Sequence, residues 1–208
     1  MRLRRLTLDE LKNLYDTQLR EAFPPEELKP YAAMERLYLD GCYEPYVTED
    51  EAGTLLGYAL LWGEKNGRYV LLDYLGVAAE RRNGGIGAIM LTLLQERFQE
   101  IDGIIGEVEA AEEGDDGEEN TLRSRRLGFY LRNGCRFMEY DCDLFGVHFR
   151  TMLFPTNGKD NDVAAMKFHQ RIYQAHLRPE LYRRFVEIPR REDRGSRPLI
   201  PWADLETL

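Results

Sequence analysis

Three carboxylates stand where strand patterning calls for apolar side chains. Asp73 interrupts the run Val70-Leu71-Leu72-Asp73-Tyr74-Leu75, and Glu107 and Glu109 flank Val108 on a later apolar stretch. A carboxylate in such a position is a candidate general base. Its alternation equally fits a sheet face turned to solvent, and the residues alone leave both readings open. By the two-residue period of an extended chain, Asp73 is expected to share a face with Leu75 and Val77. The second chemical signal is Arg82-Asn83-Gly84-Gly85-Ile86-Gly87, which lies between the apolar run Tyr69–Val77 and a helical pattern over 88–99. A strand that ends in a basic, glycine-rich turn and opens a helix is built to hold phosphate. The glycines let the backbone approach an anion, and the first helical N–H groups have no intrahelical acceptors. No lysine follows as in a Walker loop, and Met90 stands where a dinucleotide fingerprint needs its third glycine.

What fits is Arg-x-x-Gly-x-Gly, on Arg82, Gly85 and Gly87, and here the chain resembles the GNAT superfamily of acetyl-CoA-dependent N-acetyltransferases. The resemblance implies that Arg82, Asn83, Gly84, Gly85, Ile86, Gly87 and Ala88 cradle the pyrophosphate of coenzyme A. It also implies that the backbone of Leu75 and Val77 pairs with the pantetheine arm, with one N–H serving as oxyanion donor. The family pattern Tyr-x-x-x-Gly-Phe is matched by Tyr130-Leu131-Arg132-Asn133-Gly134-Cys135, except that the Phe is Cys135. Tyr130 is thereby the expected general acid for the leaving thiolate. Many members carry an asparagine seven residues before that tyrosine, and here Arg123 replaces it. An amine acceptor with a lysine-like pKa of about 10.4 withholds roughly 4–5 kcal/mol at neutral pH. A base is therefore useful, and Asp73, Glu107 and Glu109 are its candidates if the two strands diverge as in the family.

These groups need elements to hold them. Arg2 to Leu6 alternates like a first strand, and Thr7-Leu8-Asp9-Glu10 has the form of a capping box that starts a helix running to about Phe23. A second helix is expected from about Glu26 to Asp40. Three strands follow near 43–48, 54–62 and 69–77, as an antiparallel meander. Then come the helix over 88–99, a strand over 103–111, an acidic loop over 112–119, a helix from about 119 to 132 ending at Gly134, and two strands closed by Phe145-Gly146. This order is that of the resembled family. It predicts an α/β (α+β) fold with a mixed, mostly antiparallel, splayed sheet flanked by helices. Residues 1–154 are expected to form that domain, and residues 155–208 a C-terminal helical extension and tail. Whether the extension covers the acceptor site or makes a homodimer contact stays open.

Bulk properties bound the partners. A net charge of −9 argues against nucleic acid. No apolar run reaches membrane-spanning length and the N-terminus lacks a signal-peptide core, so a cytoplasmic location is the expectation. Cys42, Cys135 and Cys142 lack metal-type spacing and read as buried small hydrophobes, so no metal is expected. His148 and His169, each a single histidine in a strand or helix pattern, read as structural. The resulting expectation is acetyl transfer from acetyl-CoA to a small or peptide amine by direct attack. A non-catalytic acyl-CoA-binding module and an assembly protein on the same scaffold are the alternatives.

Overall fold

The chain opens with β1 (Arg2–Arg5) and a helix, α1, made of α-helical Leu8–Leu14, a π-helical turn Tyr15–Leu19 and α-helical Arg20–Ala22. Then follow α2 (Tyr31–Leu39), β2 (Tyr43–Glu49), β3 (Leu55–Gly63), β4 (Tyr69–Val77), α3 (Ile86–Arg97), β5 (Gly103–Glu109) and α4 (Gly117–Arg132). β6 (Arg136–Leu144), β7 (Val147–Pro155), α5 (Asp162–His176), α6 (Pro179–Phe185) and β8 (Val186–Glu187) complete it. This is a computed structural model, and it describes residues 1–25, 27–82, 84–111, 117–191, 200–202 and 204. The eight strands form one sheet in the order β1-β2-β3-β4-β5-β7-β6-β8. Among the described residues only β4 and β5 run parallel; the other pairings are antiparallel.

Local chemistry explains most boundaries. The Thr7 hydroxyl accepts from the Glu10 N–H at 3.3 Å, and Glu10 accepts from the Thr7 N–H at 2.8 Å, closing the capping box. α2 starts at Tyr31, later than the expected Glu26, because Pro30 bars the residue before it from helical geometry. Tertiary bonds reinforce this: the Lys29 N–H donates to Tyr74 Oη, and that hydroxyl donates to Glu27 O, both at 2.9 Å. α4 begins at Gly117, so Glu118 and Glu119 of the expected acidic loop sit in its first turn, where the helix dipole favours them. The rest of that loop, 112–116, lies outside the described residues. Phe145 (φ 54°) and Gly146 (φ 91°) form the two-residue connection between β6 and β7, the left-handed pair that tight hairpins require.

Helices cover both faces. One core packs α1, α2, α5 and α6 on Tyr43, Trp62, Tyr69, Leu71, Ile105 and Leu153. The other packs α3 and α4 on Leu61, Ile104, Val108 and Met152. Beyond β7 the buried hydrophobic residues among those described belong to the first of these cores. Phe168 and Ile172 of α5 are buried there, and β8 adds to the sheet edge through Asp143↔Glu187 and Leu144↔Val186. No helix among the described residues is long and apolar enough to cross a membrane.

Candidate active site

The parallel ladder between β4 and β5 runs from Tyr69↔Gly103 to Leu72↔Gly106 and stops. β4 continues against β3 as far as Val77, and β5 continues against β7 as far as Glu109, so the two central strands part beyond Leu72. The gap opens into a cleft of about 1190 Å³. Its walls determine which backbone groups face it. The Ala78 N–H donates to Leu56 O at 3.0 Å, so antiparallel alternation sends the main-chain groups of Gly76 and Tyr74 to β3. Those of Leu75 and Val77 are left facing the gap. Gly76 is required on packing grounds: a Cβ there would lie 2.1 Å from Cζ of Tyr58.

At one end of the cleft lies the glycine loop. Gly85 is left-handed (φ 76°) and serves as N-cap of α3, with nothing within 4 Å of where a Cβ would point. Ile86 and Gly87 therefore begin the helix with N–H groups lacking intrahelical acceptors. The Ala88 N–H is already engaged, donating to Gly85 O at 3.1 Å, so the expected donor set shortens at that end. Gly87 serves packing instead. A Cβ there would meet the Phe129 ring at 3.1 Å, so the bare glycine lets α4 approach the loop. Arg82 is exposed and borders the same end with Arg81. Asn83 lies outside the described residues.

Tyr130 lies in the last turn of α4, which left-handed Gly134 (φ 89°) terminates, the Cys135 N–H closing onto Tyr130 O at 3.1 Å. Its ring meets Phe129 edge-on at 5.2 Å and borders the cleft. Burial pushes its phenol up to about 12, against a partial pull downward from the Arg126 guanidinium. Arg123 bonds Glu109 at 3.0 Å, Glu119 at 2.6 Å and Ala110 O at 3.2 Å. It clamps α4 to the end of β5 and is not spare for a phosphate.

Residues 8–129 match the acetyltransferase (GNAT) family model, more than half of the chain. The chain belongs to the GNAT acetyltransferase family. Its fold is similar to that of a putative GNAT acetyltransferase from Bacteroides thetaiotaomicron, with a TM-score of 0.63, 21% identity, and coverage of 85% of this chain and 96% of that one. It is also similar to a variant of spermidine N-acetyltransferase from Vibrio cholerae, with a TM-score of 0.54, 16% identity, and coverage of 74% and 93%. At these identities the likeness concerns the fold. No curated protein sequence matches the chain.

The matched GNAT segment ends one residue before Tyr130 and contains all three candidate carboxylates. All three border the cleft, but each is held differently. Asp73 is the extra residue of a β-bulge: Leu72 pairs with Leu61 and Tyr74 with Leu60, leaving Asp73 unmatched. The bulge reverses the expected alternation. Asp73 thus faces Lys29 and Tyr43 on the four-helix side, while Leu75 and Val77 pack on the opposite core. Asp73 ion-pairs with Lys29 and accepts from Tyr43 Oη at 2.5 Å, with Lys29 and Asp73 side chains only 3% and 5% exposed. Trp62, Tyr74 and Trp202 surround the Lys29 ammonium at 5.0, 5.5 and 4.2 Å from their ring centres. Glu109 is paired with Arg123 and, at 3.2 Å, with Arg126.

Glu107 differs because its partners on the four-helix side are an imidazole and a phenol. It bonds His169 Nε2 at 2.6 Å and accepts from Tyr173 Oη at 3.0 Å, and its side chain keeps 13% exposure at the cleft. Sequence reading missed His169 as a site residue, since nothing local to α5 signals a partner on β5. Glu107, Cys142 and His169 place ligand-type atoms within 4.8 Å of one another, with Glu107 and His169 hydrogen-bonded to each other.

Proposed function

We propose that the chain transfers an acetyl group from acetyl-CoA to a primary amine by direct attack, with Glu107 as base and Tyr130 as acid. The observation that carries this reading is the termination of the β4–β5 ladder at Leu72 and Gly106 beside a left-handed Gly85 that opens α3. The N–H groups of Ile86 and Gly87, with Arg82 beside them, suit a pyrophosphate, and the room above Gly85 leaves space for it. Main-chain groups of Leu75 and Val77 are unsatisfied by β3 and suit an amide-bearing arm laid in the gap. The bound thioester supplies the acyl carbon and the thiolate leaving group.

The remaining work falls to side chains. Glu107 takes the proton that the amine sheds as its nitrogen bonds the acyl carbon. Tyr130 gives its phenolic proton to sulfur as the C–S bond breaks, leaving charge balanced across the site. A phenol pushed up to about 12 is fully protonated at neutral pH, and Arg126 eases the transient phenolate. Asp73 and Glu109, expected as alternatives, are spoken for by Lys29 and by Arg123 and Arg126 and are assigned to holding the walls. Phe23, Phe145, Phe149 and Trp202 also border the cleft. That lining favours an amine with an apolar body over an extended polycation.

Calorimetry with acetyl-CoA tests the donor half. Micromolar binding by the native chain and its loss in Gly85→Glu, which places bulk and negative charge over the α3 N-terminus, support the reading. No binding by the native chain overturns it. Thiol release with a panel of amines, compared with Tyr130→Phe, separates an enzyme from a module that only binds acyl-CoA.

A further inference from the structure

The chain of groups behind Glu107 has a direction. His169 is fully buried on α5, and both of its ring nitrogens are taken: Nε2 by Glu107 at 2.6 Å and Nδ1 by Tyr140 Oη at 3.0 Å. An ionised carboxylate only accepts, so beside it Nε2 must carry the proton. In the neutral ring Nδ1 is then an acceptor, and Tyr140 must donate to it. Tyr140 is itself fixed, since its strand neighbour Thr151 donates its hydroxyl to Tyr140 O. Tyr173, one turn along α5 from His169, supplies a second donor to Glu107.

We propose that Tyr140 and His169 are positioning residues for the base, Tyr140 locking the His169 tautomer so that Nε2–H holds Glu107 oriented at the mouth of the splay. This rests on Glu107 being the base of the proposed acetyl transfer. Its consequence is that α5, which lies beyond the residues matched by the family model, is part of the catalytic apparatus. The groups facing this carboxylate are His169 and Tyr173 from α5 and Tyr140 and Cys142 from β6, with Asp73 of β4 across the gap beside its partner Lys29, which precedes α2. Cys142 is buried and its thiol pushed well up by burial, so it stays neutral and contributes no charge. Asp73 is neutralised by Lys29. That leaves Nε2–H and the Tyr173 hydroxyl as the donors that orient Glu107.

Two measurements test this. Nitrogen-15 NMR of the native chain should show His169 as the Nε2–H tautomer with Nδ1 unprotonated at neutral pH. The opposite tautomer overturns the proposal without any variant. Thiol release from acetyl-CoA is then followed against pH with spermidine, benzylamine and a lysine-containing peptide. His169→Leu removes the donor and should move the acid limb of kcat/KM upward by about one to two pH units, the worth of one hydrogen bond to a charged group. His169→Gln, which keeps an N–H donor, should restore most of the native profile. Tyr140→Phe removes only the hydroxyl and should give a smaller shift in the same direction, which keeps the test alive if His169→Leu does not fold. Turnover with superimposable profiles overturns the positioning role alone. No thiol release with any of the three amines overturns the acetyl-transfer reading and this role together.

Discussion

Gly85→Ala isolates the backbone strain on which the donor loop depends. The residue sits at φ 76°, and an added Cβ would meet nothing within 4 Å, so the substitution brings no clash. What remains is the intrinsic cost of a left-handed alanine, roughly 1–2 kcal/mol. For a chain of this size each kcal/mol moves the unfolding midpoint by roughly 2–4 °C, which gives a fall in Tm of about 2–8 °C. Gly85→Asn should fall less, because asparagine tolerates this region with local hydrogen bonding of its own. Scanning calorimetry of the three proteins, with and without acetyl-CoA, reads both the strain and its effect on the anion site. At a hundred times Kd the ligand should add about 2.7 kcal/mol to the native chain, and less to the variants, whose side chains project toward the anion. An unchanged Tm for Gly85→Ala would refute the left-handed assignment. Equal losses for alanine and asparagine would point to crowding rather than backbone strain.

Other perturbations address other parts of the site. Tyr130→Phe should lower kcat by about 100-fold or more while calorimetric binding of acetyl-CoA is kept; equal rates would remove Tyr130 as the acid. The folded Tyr130 phenol lies at about 12, above its ordinary value near 10. The stability from keeping it neutral is therefore complete below pH 10 and lost as pH rises through about 12, a loss Tyr130→Phe should abolish in alkaline unfolding. Asp73→Asn leaves the Lys29 ammonium buried without its counter-charge and should cost about 3–5 kcal/mol in denaturant unfolding. A change within experimental error would show that the ion pair is not holding the wall. Trp202→Ala removes a ring 4.2 Å from Lys29 and 4.7 Å from Phe145, and should raise KM for the amine while leaving acetyl-CoA affinity alone. Asp162 is held below the ordinary carboxylate range, chiefly by its hydrogen bond from Arg136. Its contribution is present above that range and lost as pH falls, so Asp162→Asn should flatten acid unfolding in that interval.

Residues beyond β7 also border the cleft. Phe145 holds a left-handed backbone that a bulky residue rarely adopts. Its N–H donates to Phe185 O at 2.8 Å, and its carbonyl accepts from the Ile200 N–H at 2.9 Å, so α6 and the following tail pin the hairpin tip from both sides. Phe145 and Trp202 then present their rings to the cleft together. This is a place where strain in one segment is supported by contacts from another.

Short-range rules made much of this protein legible from its residues. The glycine turn after an apolar strand, the Thr7–Glu10 box, the Phe145–Gly146 hairpin and the spacing of Tyr130 to Gly134 each depend on neighbours within a few positions, and sequence displays those directly. The start of α2 also had a local mark in Pro30, which the expectation of a start near Glu26 passed over. Tertiary structure alone decided who partners whom. Alternation placed Asp73 with Leu75 and Val77, but a single-residue bulge reverses a strand's faces without any obligatory sequence mark. Lys29 lies 44 positions from Asp73, and His169 lies 62 positions from Glu107. Which carboxylate is neutralised and which is left with hydrogen-bond partners depends on how α2 and α5 dock on the sheet. That docking is governed by burial of whole faces, a sum over many distant side chains that no local pattern contains.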